Sequence, residues 1–150
     1  MSKIDTTQWK DYAIADLFEI KKGTRLTRAN MKDGDIRYIG ASTFNNGITA
    51  QISNDEHLHP ANSISVSYNG SVGEAFYQDE PFWASDDVNV LYSKFQLTRN
   101  IALFIIPIIK QIGKQYAFID KWKKEDMERD MLKLPAKSDG TPDFDYMEEY

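Results

Sequence analysis

Ser63 to Ser93, SISVSYNGSVGEAFYQDEPFWASDDVNVLYS, is the stretch from which the fold follows. Ser63, Ser65 and Ser67 alternate with Ile64, Val66 and Tyr68, the period-two pattern of a strand with one wet face. Asn69-Gly70 is the residue pair that most readily takes positive φ, and it predicts a hairpin turn. The chain returns through Val72, Ala75, Phe76 and Tyr77, breaks at Pro81, and runs on through Val88, Val90, Leu91 and Tyr92. Apolar residues on both faces of that last run predict a buried central strand. A core sheet of this kind is a rigid frame from which loops are displayed.

Upstream, Trp9 to Ile20 reads as a short helix leading into a strand, Phe18-Glu19-Ile20-Lys21, that stops at Gly23. Ile36 to Ala41 and Ile48 to Ile52 read as two further strands. Between them, Asn46-Gly47 is again a tight-turn signature. Downstream, Thr98 has the chemistry of a helix N-cap for IALFIIPIIKQIGKQYAF, a segment apolar nearly all round up to Ile109 and so expected to be buried. Pro107 is expected to kink that helix or end its first half. Lys114, Gln115 and Tyr116 follow at an exposed exit. Asp120 to Met131 reads as a solvent-facing helix or helical turn with Trp122 as its apolar anchor, and Leu132 to Leu134 as a short strand stopped by Pro135. Thr141-Pro142-Asp143 has the grammar of a helix start, with cap, proline and acidic first turn.

A chain of 150 residues predicts one domain with a real core. The absence of cysteine excludes disulfides and thiolate metal sites and fits a reducing cytoplasm. Met1 to Lys10 lacks the apolar segment of a leader. The apolar run Ile101 to Ile109 is far short of the ~20 residues of a membrane span. The net charge of -5 is unevenly spread. Acids crowd the end, at Asp139, Asp143, Asp145, Glu148 and Glu149. Bases crowd the front, where KKGTRLTRANMKDGDIR carries Lys21, Lys22, Arg25, Arg28, Lys32 and Arg37 against Asp33 and Asp35. That stretch is either a solvated charged face or a loop that neutralises backbone phosphates, with Thr24, Thr27 and Asn30 adding positioning contacts.

Chemistry of other kinds finds little support. His57 and His59 in NDEHLHP have neither a third histidine nor a cysteine, so no metal site is expected. No G-x-S-x-G elbow, G-x-G-x-x-G turn or P-loop is present. Glu74, Asp79, Glu80, Asp86 and Asp87 lie near the predicted sheet without the metal or base that would make them catalytic.

Several phrases together carry a resemblance. They are Trp9 with Leu17-Phe18-Glu19-Ile20-Lys21-Lys22-Gly23, then Ile39-Gly40-Ala41-Ser42 and Asn45-Asn46-Gly47-Ile48, then Ser63-Ile64-Ser65-Val66 before Asn69-Gly70-Ser71-Val72-Gly73. Ala75-Phe76-Tyr77-Gln78, Phe82 to Leu91 and Lys133-Leu134-Pro135 complete the order. This arrangement resembles the target recognition domain of restriction–modification specificity (S) subunits. It is most similar to the variety paired with Type II-like restriction–methyltransferase systems, whose domains often close on a phrase like Leu134-Pro135, Asp139-Gly140, Pro142-Asp143 and Tyr146-Met147.

The resemblance implies an α+β fold around a curved mixed or antiparallel sheet with helices on one side. It implies docking on double-stranded DNA and reading of a short half-site by loops in the major groove. Methyl transfer and cleavage would belong to partner methyltransferase and nuclease subunits or domains, so this chain would need no cofactor and would not be an enzyme. Residues 1–136 would form the recognition domain. Residues 137–150 would be a linker and the start of a truncated spacer helix, a departure from the paired domains and long helices of a typical S subunit. A homodimer is left open by this reading.

On this reading Lys21, Lys22, Arg25, Arg28, Lys32 and Arg37 hold phosphates, with one or two arginines able to take guanine bidentately. Asn45, Asn69, Ser71, Gln78, Lys114, Gln115 and Tyr116 are the polar loop side chains expected near bases. Two other readings stay open. One is a protein-interaction or anti-restriction module whose acidic surface occupies a restriction–modification complex. The other is a carbohydrate- or nucleotide-acting enzyme whose turnover would depend on Asp86 or Asp87.

Overall fold

The Val88–Ser93 run is apolar on both faces because it lies between two cores. Val88 and Val90 turn toward Ile39, Phe82 and Ala84. Leu91 turns the opposite way, toward Ile20, Ile64 and Val66 and the helical residues Ile101, Ile105 and Ile109. The computed structural model describes residues 8–119 and 121–150. Most of the polar opening segment, Met1 to Thr7, and Asp120 at the head of the predicted charged helix therefore lie outside the described residues.

In chain order the elements are β1 (Lys10–Ala13), α1 (Ile14–Leu17), β2 (Phe18–Lys22), β3 (Asp33–Ile39), β4 (Ile48–Ile52), β5 (Ser63–Ser67) and β6 (Ala75–Gln78). They continue with β7 (Phe82–Ala84), β8 (Val88–Ser93), α2 (Arg99–Gly113), α3 (Lys124–Arg129), β9 (Met131–Leu134) and α4 (Phe144–Glu149). A four-stranded sheet in the order β2-β8-β5-β6 is antiparallel throughout. A three-stranded sheet, β4-β3-β7, pairs β3 with β7 in parallel. It covers one face of the larger sheet, and α2 and α4 lie on the other. β1 and β9 close the helical side as an antiparallel pair. This is the expected α+β arrangement, mixed in sheet direction, with helices to one side.

The serine alternation in β5 holds, but its wet face does not. Ser65 and Ser67 pair with Val90 and Val88, so they share the face that the three-stranded sheet covers. Ser63, Ser65 and Ser67 are 1–3% exposed. Their hydroxyls are accommodated by local partners. Ser63 Oγ donates to the Pro60 carbonyl at 2.9 Å, and Ser65 Oγ accepts from Gln78 Nε2 at 3.2 Å. The predicted hairpin turn follows, and it extends beyond Asn69-Gly70. Its left-handed residues are Gly70, Ser71 and Gly73, while Asn69 stays outside that region.

At α2, Thr98 Oγ1 accepts from the Ile101 amide at 3.2 Å, the cap read from sequence. The helix runs through Pro107 to Gly113 instead of ending. Pro107 sits on the exposed stripe with Leu103, whose carbonyl loses its helical donor where water can replace it. At α4 the cap is Asp143, which accepts from the Tyr146 amide at 3.1 Å. Thr141 does not serve, because its hydroxyl already donates to Asp139 Oδ1 at 2.6 Å inside the preceding turn. A helix this short is marginal in water, and it is docked here. Met147 is buried, Phe144 stacks on Phe95 at 4.2 Å, and Tyr146 and Tyr150 meet Phe104 edge-on.

His59 is a core residue. Its ring stacks on Phe82, and Nδ1 lies 2.6 Å from the Tyr92 hydroxyl. Burial pushes its pKa down from 6.5 to about 4. The unfolded chain therefore takes up a proton below about pH 6.5 that the folded chain refuses. This contribution to stability is complete above pH 6.5 and is lost as pH falls toward 4, by roughly 2–3 kcal/mol. Urea melts across that window should show the loss, and His59→Gln should flatten it. An unflattened slope in the variant would place the titration elsewhere.

Candidate nucleic-acid interface

One end of the molecule gathers loops that are far apart in sequence. The hairpin loop between β5 and β6 is at its centre. The Tyr68 carbonyl accepts from the Trp122 amide at 2.7 Å, and Asn69 forms an antiparallel bridge with Lys121. Asn69 Nδ2 donates to Asp87 Oδ1 at 3.0 Å, and the Tyr68 amide to the Asp87 carbonyl at 3.0 Å. Gly73, at φ +88°, packs so closely on Gly113 that a Cβ added to Gly73 would stand 2.9 Å from the Gly113 Cα. That approach brings the end of α2, and Lys114 and Gln115 beyond it, beside the hairpin tip. On the opposite flank Ala41 is the neighbour of Gly70, which brings in the Ala41–Gly47 loop.

Asn45 and Asn46 both take left-handed φ, at 54° and 56°, and turn that loop outward. Asn46 is its anchor, with Nδ2 donating to the Tyr77 carbonyl at 3.2 Å. Asn45 is exposed. Phe44 is 79% exposed at the loop tip, and its amide is fixed by Ser42 Oγ at 3.1 Å. Phe44 was not singled out from sequence. Its one available signal is a large aromatic beside a turn signature.

The basic residues divide by position. Lys22 ends β2 directly across from Asn89 of β8. Arg25 reaches Asp86 at 3.7 Å while remaining 77% exposed, a pair too solvated to hold it firmly. Both therefore belong to the hairpin end. Lys21 is also exposed and pairs with Glu19 at 3.4 Å. Arg28 and Lys32 lie along the same loop, which crosses the outer face of the three-stranded sheet over Tyr38, Ile52 and Trp83 through Leu26 and Met31. Trp83 Nε1 ties the loop down by donating to the Thr24 carbonyl at 2.8 Å.

Three of the side chains selected by their chemistry are engaged elsewhere. Arg37 donates to Asp79 Oδ1 at 2.8 Å, Glu80 Oε2 at 3.3 Å and Gln78 Oε1 at 3.3 Å, and its side chain is only 17% exposed. Its charge is answered within the fold, where it holds the Asp79 carboxyl below the usual range. Gln78 is fully buried. It donates to the Asn46 carbonyl at 2.9 Å and to Ser65, so it supports the outer loop and presents no edge of its own. Tyr116 stacks on Trp122 and donates to Asp130 Oδ2 at 2.8 Å. Burial, then Asp130, push its pKa up to about 12 and keep it a donor. These three serve the scaffold of the face, a correction to their reading as contacts. Asn45, Asn69, Ser71, Lys114 and Gln115 are exposed on it.

Sequence reasoning missed Lys121, Lys123 and Lys124, which read as part of a solvated helix. Trp122 is fully buried between them, and its insertion turns the flanking lysines toward Tyr68 and Lys22. Among the described residues no cluster of three or more His, Asp or Glu side chains is arranged to hold a metal, and no helix is long and apolar enough to cross a membrane.

Residues 6–150 match the family described as Type I restriction modification DNA specificity domain. The chain is 39% identical over 143 residues to the Type II restriction enzyme BgcI specificity subunit S.BcgI of Heyndrickxia coagulans, a match spanning 95% of this chain and 42% of that protein. In fold it is similar to the Type-I restriction-modification system S subunit from M. genitalium, with TM-score 0.70, 16% identity and coverage of 94% of this chain and 36% of that one. It is also similar to the HsdS subunit from Thermoanaerobacter tengcongensis, with TM-score 0.67, 10% identity and coverage of 95% and 35%. The chain thus spans less than half the length of each of these proteins.

Proposed function

The chain belongs to the Type I restriction modification DNA specificity domain family, and from that premise we propose that it recognises a short sequence in double-stranded DNA and directs partner methyltransferase and endonuclease subunits or domains to it. The observation that carries the reading is the convergence of exposed cations and amides on one end of the fold. Lys22, Arg25, Lys114 and Lys121 stand there among Asn45, Asn69, Ser71 and Gln115, on loops braced from behind by Gln78 and Trp122. Cations placed so neutralise phosphates, and exposed amides read base edges in the major groove. The role is one of address, with methyl transfer and cleavage carried by the partners in the cytoplasm. Residues 1–136 would be the reading unit and residues 137–150 would lead into a spacer helix. A second copy would supply the second half-site.

The test is binding to a duplex pool with a randomised centre, titrated across salt, with the retained DNA sequenced. A recurring half-site and a steep loss of affinity with salt are expected. Arg25→Ala with Arg28→Ala should weaken binding at low salt, and an arginine that reads a base should cost about 1–3 kcal/mol and relax one position of the motif. Unchanged affinity in the double variant would remove the front loop from the interface. A chain that retains no duplex but captures a methyltransferase would favour the protein-interaction reading instead.

A further inference from the structure

The lysines missed in the sequence converge on a cleft of about 220 Å³ lined by Lys22, Tyr68, Asn89, Lys121, Lys123, Lys124 and Glu125. Four lysines against one glutamate make it strongly positive. Lys124 is partly answered by Glu128 at 3.3 Å. Lys22, Lys121 and Lys123 have no ion pair among the described residues.

The second observation is at the floor. Asn89 is 1% exposed, and neither its Nδ2 nor its Oδ1 has a hydrogen-bond partner. They are the buried side-chain polar atoms left unsatisfied among the described residues. Its neighbours along β8, Val88 and Val90, face the second sheet. Strand alternation therefore points the Asn89 amide to the cleft side, beside Tyr68 and across from Lys22. A buried amide without a partner costs free energy that folding alone does not explain, and a ligand oxygen at the floor would restore it. The neighbouring Tyr68 hydroxyl is already spent on the Asp86 carbonyl. The acceptor that suits three free ammonium groups and one neutral N–H donor is a phosphodiester oxygen.

We infer that this cleft seats one backbone phosphate of the bound duplex, with Asn89 as the buried donor and Lys22, Lys121 and Lys123 as the charges around it. The inference rests on the DNA-binding reading and adds a register point to it. A phosphate fixed here sets how the hairpin tip and the Phe44 loop lie against the bases.

The experiment compares duplex binding across salt for the wild-type chain, for Asn89→Leu, and for the combined Lys22→Gln, Lys121→Gln and Lys123→Gln variant. The lysine variant should bind at least tenfold more weakly at low salt and lose roughly one unit from the slope of log K against log salt, the share of one phosphate. Asn89→Leu should bind several-fold more weakly with an unchanged slope, because it removes a neutral donor. Its urea midpoint should be equal or higher, because the orphaned amide is gone, and this separates lost contact from lost fold. In the wild-type chain the Asn89 side-chain amide resonance, identified by its absence in the Leu variant, should shift on adding a short duplex. If the wild type binds duplex and both variants match it in affinity and slope, the seat is overturned while DNA recognition stands. If the wild type binds no duplex at low salt, the recognition reading and the seat both fall.

Discussion

Trp122→Ala should cost about 3–5 kcal/mol, the range for deleting a fully buried large aromatic. The side chain has no exposed surface. It stacks on Tyr116 at 5.5 Å between ring centroids and donates from Nε1 to Asp130 Oδ2 at 2.7 Å. It also fills the space beside Gly113, where α2 ends. Alanine would leave a void that the antiparallel bridge at Asn69 and the Gly73–Gly113 contact cannot close, since both are backbone contacts. Against a total stability of about 5–15 kcal/mol, that is a large fraction. Trp122→Phe keeps most of the volume but leaves Asp130 with the Tyr116 hydroxyl alone, so it should fall between the two. Urea denaturation of the three chains measures the series. A Trp122→Ala chain within about 1 kcal/mol of wild type would mean that the Lys121–Lys124 segment is not held by this side chain. In molecules that remain folded, duplex binding should drop as well, because Lys121 and Lys123 are positioned by the residue between them.

What was legible in the sequence follows from how local its cause is. The Thr98 cap, the stop of β2 at Gly23 and the buried β8 depend on residues within a turn or a strand of one another, and each was read correctly. The serine face of β5 was misread because alternation reports two faces without saying what covers them. A second sheet, contributed by strands on both sides in sequence, covers the face that looked wet. At the candidate site, long-range partners decide what residue chemistry alone leaves open. Arg37, Gln78 and Tyr116 have the right chemistry for contacts, but Asp79, Asn46 and Asp130 take up their hydrogen-bonding capacity. Lys121 to Lys124 look like an ordinary solvated helix until the docking of Trp122 under Tyr68 brings them to Lys22, about a hundred residues earlier in the chain. Asn89, a single polar residue in an apolar run, carried a signal that periodicity could have flagged. On a strand buried on both faces, an amide needs either a partner or a purpose.

Gly23→Ala carries the other large expected effect, and it joins stability to recognition. At Gly23 the chain leaves β2 beneath the turn between β7 and β8. An added Cβ would stand 1.8 Å from the Ser85 carbonyl oxygen and 2.7 Å from that of Ala84. Both are backbone atoms, so no side chain can swing aside. Either β2 or the turn must move. The bonds at risk are Gly23 N to the Val88 carbonyl at 2.9 Å and Thr24 N to the Ala84 carbonyl at 2.8 Å. The cost should be at the upper end of the ~1–3 kcal/mol usual for overpacking. Lys22 precedes the clash and Arg25 follows it two residues later, while Asp86, which meets Arg25, belongs to the same turn. Displacement therefore shifts Lys22, which lines the proposed phosphate seat, and Arg25 beyond it, without removing a charge. The expected signature is a lowered urea midpoint together with weaker duplex binding whose salt slope is preserved. A midpoint unchanged within error would show that the turn yields freely. In that case duplex affinity should also be unchanged, because the loop it anchors would have kept its place.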